Sequence, residues 1–272
     1  MRHRLSTLPA GAALALALWT LPAAAADVLR VGGTGGATAT LAHLGKTFTQ
    51  RTGIAVEVVP SLGSGGGIAA VADGALDLAV SGRPLSAAER ERGVVPAAAV
   101  RTPYVLATSH RAPPAMTAPE VVGAYAHAKA TWPDGSPIRL VLRPRAESDN
   151  QVLVSLFPGM AAALDQARQR GDVPVAATDQ DNADAAERLT GSLTGTTYAQ
   201  VTMEDRNLRM IAIEGTAPTI EAFESGAYRY AKVFHVVHPR RPSAAAEHFV
   251  RFLRGDEGVR ALREAGCLPG AE

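Results

Sequence analysis

The chain has 272 residues, of which 47% are hydrophobic, so it can form one or two domains with sizeable cores. Its 27 basic and 26 acidic residues give a formal net charge of +1, which disfavours a nucleic-acid-binding protein because that class carries a clear basic excess. The single cysteine, Cys267, excludes an intramolecular disulfide and a four-cysteine metal site.

Residues 1–26 have the pattern of a secretory signal peptide. Arg2 and Arg4 precede an apolar stretch at residues 10–21, and three alanines at 24–26 provide the small residues of a cleavage site. The apolar stretch is shorter than the ~20 residues of a membrane-spanning helix. No cysteine follows it to carry a lipid anchor. The sequence therefore predicts export to the periplasm with cleavage near residue 26.

From Val28 onwards, short apolar runs alternate with helical patterns. Strands are predicted at 28–33, 54–60 and 76–82, with helices between them, and a longer extended run follows at 100–108. Further along the chain the patterns predict, in order, a helix near 120–130, a turn at 132–135, a strand at 138–143 and helices beginning at 148 and 160. Two more helical segments, separated at Gly255, end the chain. This alternation predicts an α/β fold in which helices cover a largely parallel sheet.

No repeat or linker divides the chain into consecutive domains. Two extended segments, PYVLATS at 103–109 and YRYAKVF at 228–234, instead flank a self-contained α/β block. We therefore predict two interleaved lobes, one formed by residues 27–105 with 229–272 and the other by residues 106–228.

Three loops each connect a predicted strand to a predicted helix. They are GGTGGAT at 32–38, GSGGG at 63–67 and RPRAESDN at 143–150. Parallel strands would place all three loops at one edge of the sheet, where ligands bind. Helix N-termini offer free amides and a positive dipole, glycine lets an anion approach them, and hydroxyl groups add donors. Arg143 or Arg145 would add a forked cation suited to a tetrahedral anion. Together the loops predict a site for a small anion.

Other readings of these residues are weaker. Any one of the loops could be a simple tight turn, with Ser148 as a helix N-cap and Asp149 as a first-turn acid. A dinucleotide site would need a third glycine where Thr38 stands. Ser64 is not in a nucleophile elbow, because Leu62 lies two residues before it. No His/Cys spacing typical of a metal site occurs. We therefore expect a binding protein and not an enzyme, with no cofactor and no metal.

The three loops and the segment LDLAVSGRPLS at 76–86 resemble the motifs of periplasmic phosphate-binding (PstS-like) substrate-binding proteins of ABC transporters. The resemblance runs from Val28 to the C-terminal LREAGCLP. It implies the type II periplasmic binding protein fold, in which two α/β lobes joined by two crossing hinge strands bury the ligand between them. It also implies a ligand site composed of Ala37, Thr38, Ala39, Ser64, Gly65, Ser81, Arg83, Arg143, Arg145, Ser148, Asp149 and Asn150. The spacing leaves open whether Arg143 or Arg145 is the family's arginine.

The chain departs from the family pattern at Gly82, where the family has an acid that accepts the proton of hydrogen phosphate. We therefore expect weaker rejection of sulfate and molybdate, unless Asp149 is the acceptor. The implied function is capture of phosphate or a similar oxyanion (sulfate, molybdate or arsenate) by a monomer that delivers it to an inner-membrane ABC permease. A sensor that docks on a membrane histidine kinase is the alternative. A periplasmic phosphate-ester enzyme would need a nucleophile or metal set, and the sequence offers neither.

Overall fold

The computed structural model describes residues 28–270, so the predicted signal peptide lies outside the described residues. The strands are β1 (Val28–Gly33), β2 (Ala55–Val59), β3 (Leu78–Ser81), β4 (Val94–Thr108), β5 (Arg139–Leu140), β6 (Ser192–Thr197), β7 (Arg209–Met210), β8 (Ala231–Pro239) and β9 (Leu268–Pro269). The helices are α1 (Thr38–Thr52), α2 (Gly63–Ala72), α3 (Ala87–Glu91), α4 (Ala118–Ala126), α5 (Ser148–Leu156), α6 (Met160–Arg168), α7 (Asp179–Arg188), α8 (Tyr198–Met203), α9 (Ile220–Glu224), α10 (Ala244–Arg254) and α11 (Asp256–Glu264). Across this part of the chain, no helix combines the length and hydropathy needed to span a membrane.

The predicted α/β class is confirmed. The strands form a mixed sheet in the order β2-β1-β3-β8-β4-β6-β5, and β7 and β9 both pair with β4. β1 runs parallel to β2 and β3, whereas β8 is antiparallel to both β3 and β4. Parallel pairing of β1 with β2 places the loops that follow these two strands, at 32–38 and 63–67, at one edge of the sheet, as the sequence predicted.

The long strand β4 takes part in both halves of the sheet. Its first part, Val94–Pro103, pairs with β8, and its last part, from Tyr104 to Ala107, pairs with β6. The predicted strand at 100–108 therefore begins earlier, whereas the predicted strand at 138–143 is reduced to the two residues of β5. Through β4 the strands of the two halves form one continuous hydrogen-bonded sheet.

The buried apolar side chains nevertheless separate into clusters on the two sides of this crossing. One large cluster is built mainly from residues 104–230, including Tyr125, Trp132 and Phe157. A second is built mainly from residues 29–100 and 234–267, including Phe48 and Phe249. Division into the lobes 27–105 with 229–272 and 106–228 remains a prediction that these clusters favour.

The glycine run at the start of α2 has a packing role. A Cβ atom added to Gly67 would lie 2.7 Å from the Cα atom of Gly33 on β1, a distance that real Cβ atoms do not tolerate. Gly67 is therefore needed where α2 crosses β1 at close range, whereas a Cβ atom on Gly33 would lie 2.0 Å from the carbonyl oxygen of Val80 on β3. Anion binding, the role predicted for the run from the sequence, is not required to explain Gly67.

Candidate functional site

Four charged side chains from four separate elements meet in the interior. Arg143 follows β5, Asp149 lies in the first turn of α5, Asp179 begins α7 and Lys232 lies on β8. Arg143 is 5% exposed, Asp149 4%, Asp179 8% and Lys232 1%. Charged groups are rarely buried to this extent without a structural or functional reason. We call these four residues the charged cluster.

The members of the charged cluster neutralise each other. Lys232 Nζ donates to Asp149 Oδ1 at 2.5 Å. Arg143 lies farther from its partners, with Nε 3.9 Å from Asp149 Oδ2 and Nη2 3.8 Å from Asp179 Oδ2. Glu147, at the N-cap of α5, adds a third carboxylate 3.2 Å from Arg143 Nη2. The arginine thus has several acidic neighbours, but its contacts with the two buried carboxylates are long.

The protonation states follow from this arrangement. Burial, together with the negative charge of Asp149, raises the pKa of Asp179, although Lys232 and Arg143 act in the opposite direction. Burial would lower the pKa of Lys232, but the charges of Asp149 and Asp179 outweigh it and the pKa is raised. Lys232 therefore stays a cation at neutral pH. Because its pKa is raised, Asp179 binds a proton at a higher pH than an ordinary aspartate does.

Three buried donors around the cluster have no hydrogen-bond partner among the described residues. They are Arg143 Nε and the hydroxyl groups of Tyr104 and Tyr125. Arg143 Nη1 is used, because it donates to the carbonyl of Ala176 at 2.7 Å. Burial and the charge of Asp149 raise the pKa of both tyrosines, so their hydroxyl groups keep their protons. Unpaired buried donors are costly, and an acceptor-rich ligand is what would satisfy them.

The second loop and the end of β3 reach the start of α5. Ser64 Oγ accepts a hydrogen bond from the amide of Gly82 at 2.9 Å. A Cβ atom on Gly82 would lie 2.4 Å from Ser148 Oγ and 3.3 Å from Lys232 Cε. The structure therefore brings Ser64, Gly82 and Ser148 together beside the charged cluster, and any side chain at position 82 would require Ser148 to shift. Asp149, the residue after Ser148, pairs with the same Lys232.

Ser81 and Arg83, on either side of Gly82, are engaged locally. Ser81 Oγ donates to the carbonyl of Arg83 at 2.7 Å and accepts from its amide at 3.2 Å. The guanidinium of Arg83 forms two hydrogen bonds to Glu89, at 2.9 and 2.7 Å, which lower the pKa of Glu89 to about 2. Gly65 is exposed, and a Cβ atom there would lie 4.0 Å from Arg83. Arg83 thus has a strong partner of its own and lies outside the charged cluster.

The first loop uses the amides of Ala37 and Thr38, which the resemblance assigns to the ligand, within its own backbone. The amide of Ala37 donates to the carbonyl of Thr34 at 3.1 Å, and that of Thr38 donates to Gly35. These bonds form a 3₁₀ turn at Gly35–Ala37, so the amides of Ala37 and Thr38 are already used. Gly36 instead lies close to the Asp179 carboxylate, because a Cβ atom on Gly36 would be 3.7 Å from Asp179 Oδ1. Ala39 is half-buried in the first turn of α1.

The third loop settles the position of its two arginines. Arg143 is buried in the charged cluster, whereas the side chain of Arg145 is 71% exposed and pairs with Asp165 at 2.7 Å. Of the two arginines that the sequence left open, the structure favours Arg143 as the site cation. Arg145 is on the surface.

Ser148 and Asn150 differ in their availability to a ligand. The N-cap of α5 is Glu147, so Ser148 is the first helical residue and not the N-cap that one reading of the sequence suggested. Asn150 Nδ2 donates to the carbonyl of Pro144 at 2.6 Å, and its Oδ1 accepts from Arg168 at 2.8 Å. Asn150 therefore holds the third loop in shape, while Ser148 faces Gly82.

Sequence reasoning missed Lys232 and Asp179. The sequence could have indicated Lys232. Side chains alternate between the two faces of a strand, and Lys232 lies two residues before the buried Phe234, so the two share a face of β8. Asp179 gave no such signal, since it follows Thr178 in a helix-capping box and reads as an ordinary first-turn acid. In residues 28–270, no group of three His, Cys, Asp or Glu side chains is placed to hold a metal ion.

Comparisons with known proteins agree with the fold. The family model described as a PBP superfamily domain matches residues 20–257, so the chain belongs to the PBP superfamily of periplasmic binding proteins. No curated protein sequence matches the chain significantly. The resemblance to PstS-like substrate-binding proteins is confirmed at the level of family and fold.

Solved structures with low sequence identity share this fold. A Clostridium perfringens protein named as a phosphate ABC transporter substrate-binding protein, solved with bound phosphate, is 14% identical with a TM-score of 0.75, over 90% of this chain and 100% of that one. A phosphate transport receptor from Vibrio cholerae is 16% identical with a TM-score of 0.59, over 88% and 99% of the two chains. The molybdate-binding protein of Azotobacter vinelandii is 17% identical with a TM-score of 0.61, over 89% and 100%.

Proposed function

We propose that the protein binds a small inorganic oxyanion in the periplasm, with phosphate as the leading candidate, and delivers it to an ABC permease in the inner membrane. The observation that carries this proposal is the set of unpaired buried donors, Arg143 Nε, Tyr104 and Tyr125, next to the cation Lys232. The charge of Asp149, which pairs with Lys232, raises the pKa of both tyrosines, so these donors lie near the charged cluster. An oxyanion presents several acceptor oxygens in a small volume, which matches such a set of donors.

The number of donors is sufficient for useful affinity. A micromolar dissociation constant corresponds to about −8 kcal/mol. Hydrogen bonds to charged groups contribute roughly 1.5–3 kcal/mol each, so three to five of them reach this value. Capture of this kind requires no covalent chemistry, and the protein acts as a binding protein and not as an enzyme.

Ligand entry requires the two predicted lobes to open. The charged cluster joins Lys232 on β8 to residues of α5 and α7, which lie in the segment 106–228. Hinge motion at the two crossing strands, β4 and β8, would separate these elements and expose the donors. The PBP superfamily match and the phosphate- and molybdate-binding proteins of the same fold support this mode of action.

The test is calorimetric titration of the exported form, residues 27–272, after unfolding and refolding to remove any ligand that co-purifies. Phosphate, arsenate, sulfate and molybdate are titrated separately at neutral pH. We expect micromolar or tighter binding of at least one of them, with phosphate the strongest. Failure of all four to bind, in a protein whose folding is verified by circular dichroism, would overturn the proposal.

A further inference from the structure

The start of α7 reaches across to the first and second loops. A Cβ atom on Gly35 would lie 2.7 Å from Asp179 Oδ2, and a Cβ atom on Gly36 would lie 3.7 Å from Asp179 Oδ1. The neighbouring Gln180 donates to the carbonyl of Gly35 at 3.0 Å and accepts from Ser61 Oγ at 3.0 Å. The Asp179 carboxylate therefore lies against the first loop. Its Oδ2 atom is also 3.8 Å from Arg143 Nη2.

A carboxylate in this position presents what an oxyanion ligand would present, namely negatively charged oxygens beside the first loop and a guanidinium. We propose that Asp179 is a specificity-determining residue that acts as a built-in competitor: its carboxylate occupies part of the oxyanion site, and the ligand must displace it or bind beside it. This inference rests on the proposed oxyanion-binding function. It adds a residue of this chain that limits how tightly the anion binds.

The electrostatics of the surroundings support a competitive role. The groups that face Asp179 are the cations Arg143, from the third loop, and Lys232, from β8, together with the acid Asp149 from α5 and the hydroxyl of Tyr104 from β4. A ligand dianion would add two negative charges to a cluster that already balances two cations with two carboxylates. Like charges this close in a buried site repel strongly. Neutralising Asp179 removes one of these repulsive charges and releases Arg143.

The test uses Asp179→Asn with Asp181→Asn as a matched control. Asp181 lies in the same helical turn and carries the same charge, but it is exposed. Phosphate, sulfate and molybdate are titrated into each variant at neutral pH. We expect Asp179→Asn to bind the anions roughly tenfold more tightly than wild type, and Asp181→Asn to bind them as wild type does. Unchanged or weaker binding by Asp179→Asn would overturn the inference.

A second measurement does not depend on the variant's stability. Sulfate keeps its charge between weakly acidic and neutral pH, so any change in its affinity reports titration of the protein. Asp179 has a raised pKa. We therefore expect the affinity of wild type for sulfate to rise as the pH falls from neutral towards about 4, the ordinary pKa of an aspartate side chain. This increase should be absent in Asp179→Asn. A wild-type affinity for sulfate that does not change with pH would contradict the competitive role.

The outcomes separate this inference from the function on which it rests. If wild type and Asp179→Asn both fail to bind all the anions, the proposed function is wrong. If wild type binds phosphate and Asp179→Asn binds it no more tightly, the proposed function stands and the competitive role of Asp179 is wrong. Binding by wild type, with tighter binding by Asp179→Asn, supports both.

Discussion

Lys232 Nζ lies 2.5 Å from Asp149 Oδ1, and both side chains are buried. The pair joins β8 to the first turn of α5, two elements separated by 83 positions in the chain. A buried ion pair stabilises little relative to apolar residues, but loss of one partner leaves an uncompensated buried charge. Retention of such a pair at a convergence of loops is more easily explained by ligand binding than by stability.

Replacing one member of this pair should be more harmful than replacing both. Lys232→Met leaves Asp149 charged with only its long contact to Arg143, and we expect it to lower the free energy of unfolding by about 3–5 kcal/mol. The double variant Lys232→Met/Asp149→Leu should recover most of that loss but should not bind phosphate. Urea denaturation and calorimetric titration measure the two effects. A double variant that binds phosphate like wild type would show that the pair is purely structural.

The two arginines of the third loop should behave differently. Arg143→Gln removes the buried guanidinium whose Nε has no partner among the described residues, and we expect phosphate affinity to fall by at least about tenfold, as loss of one charge-assisted hydrogen bond implies. Arg145→Gln is the control, because Arg145 is exposed and contacts Asp165. Its affinity for phosphate should stay within about twofold of wild type, because a surface ion pair contributes little. Equal losses in both variants would remove the basis for assigning Arg143 to the site.

Two glycines of α2 allow a matched test of close packing. Gly67→Ala would place its Cβ atom 2.7 Å from the backbone of Gly33, and we expect a loss of about 1–3 kcal/mol in unfolding free energy. Gly65 is exposed, with no atom closer than 4.0 Å to an added Cβ. Gly65→Ala should therefore raise stability by roughly 0.5–1 kcal/mol, because alanine loses less backbone entropy in a helix. Thermal and urea denaturation of the two variants would show whether the shifts have opposite signs.

The Arg83–Glu89 pair predicts a pH dependence of stability. The pKa of Glu89 falls from 4.5 to about 2, chiefly because Arg83 donates to its carboxylate. Since the folded pKa is depressed, the contribution of this pair is fully present above about 4.5 and is lost as the pH falls towards about 2. The difference in stability between wild type and Glu89→Gln should be constant from neutral pH to about 5 and should shrink below that range. Glu91→Gln, an exposed acid at the end of α3, is the control, and a difference that persists at pH 2 would contradict the assignment.

The sequence determined the class of fold and the region of the site. Alternating apolar runs and helical patterns predicted the α/β fold, and three strand-to-helix loops predicted where an anion would bind. The fold inference is confirmed because strand period and helix start signals are local properties of the chain, whereas the anion site stays a prediction. Ser64, Arg143, Ser148 and Asp149 were named from such local signals, and the structure places all four in or beside the charged cluster.

Only the tertiary structure decided which polar groups remain free. The sequence makes Arg83 a candidate ligand-binding residue, but in the structure its guanidinium hydrogen-bonds Glu89, six residues later. Arg143 and Arg145 could not be separated by spacing, because burial depends on how the loop packs. Lys232 and Asp179 join the site from strands and helices distant in the chain. The sign and balance of charge in a buried site depend on contacts between such distant elements, and local sequence patterns carry no information about those contacts.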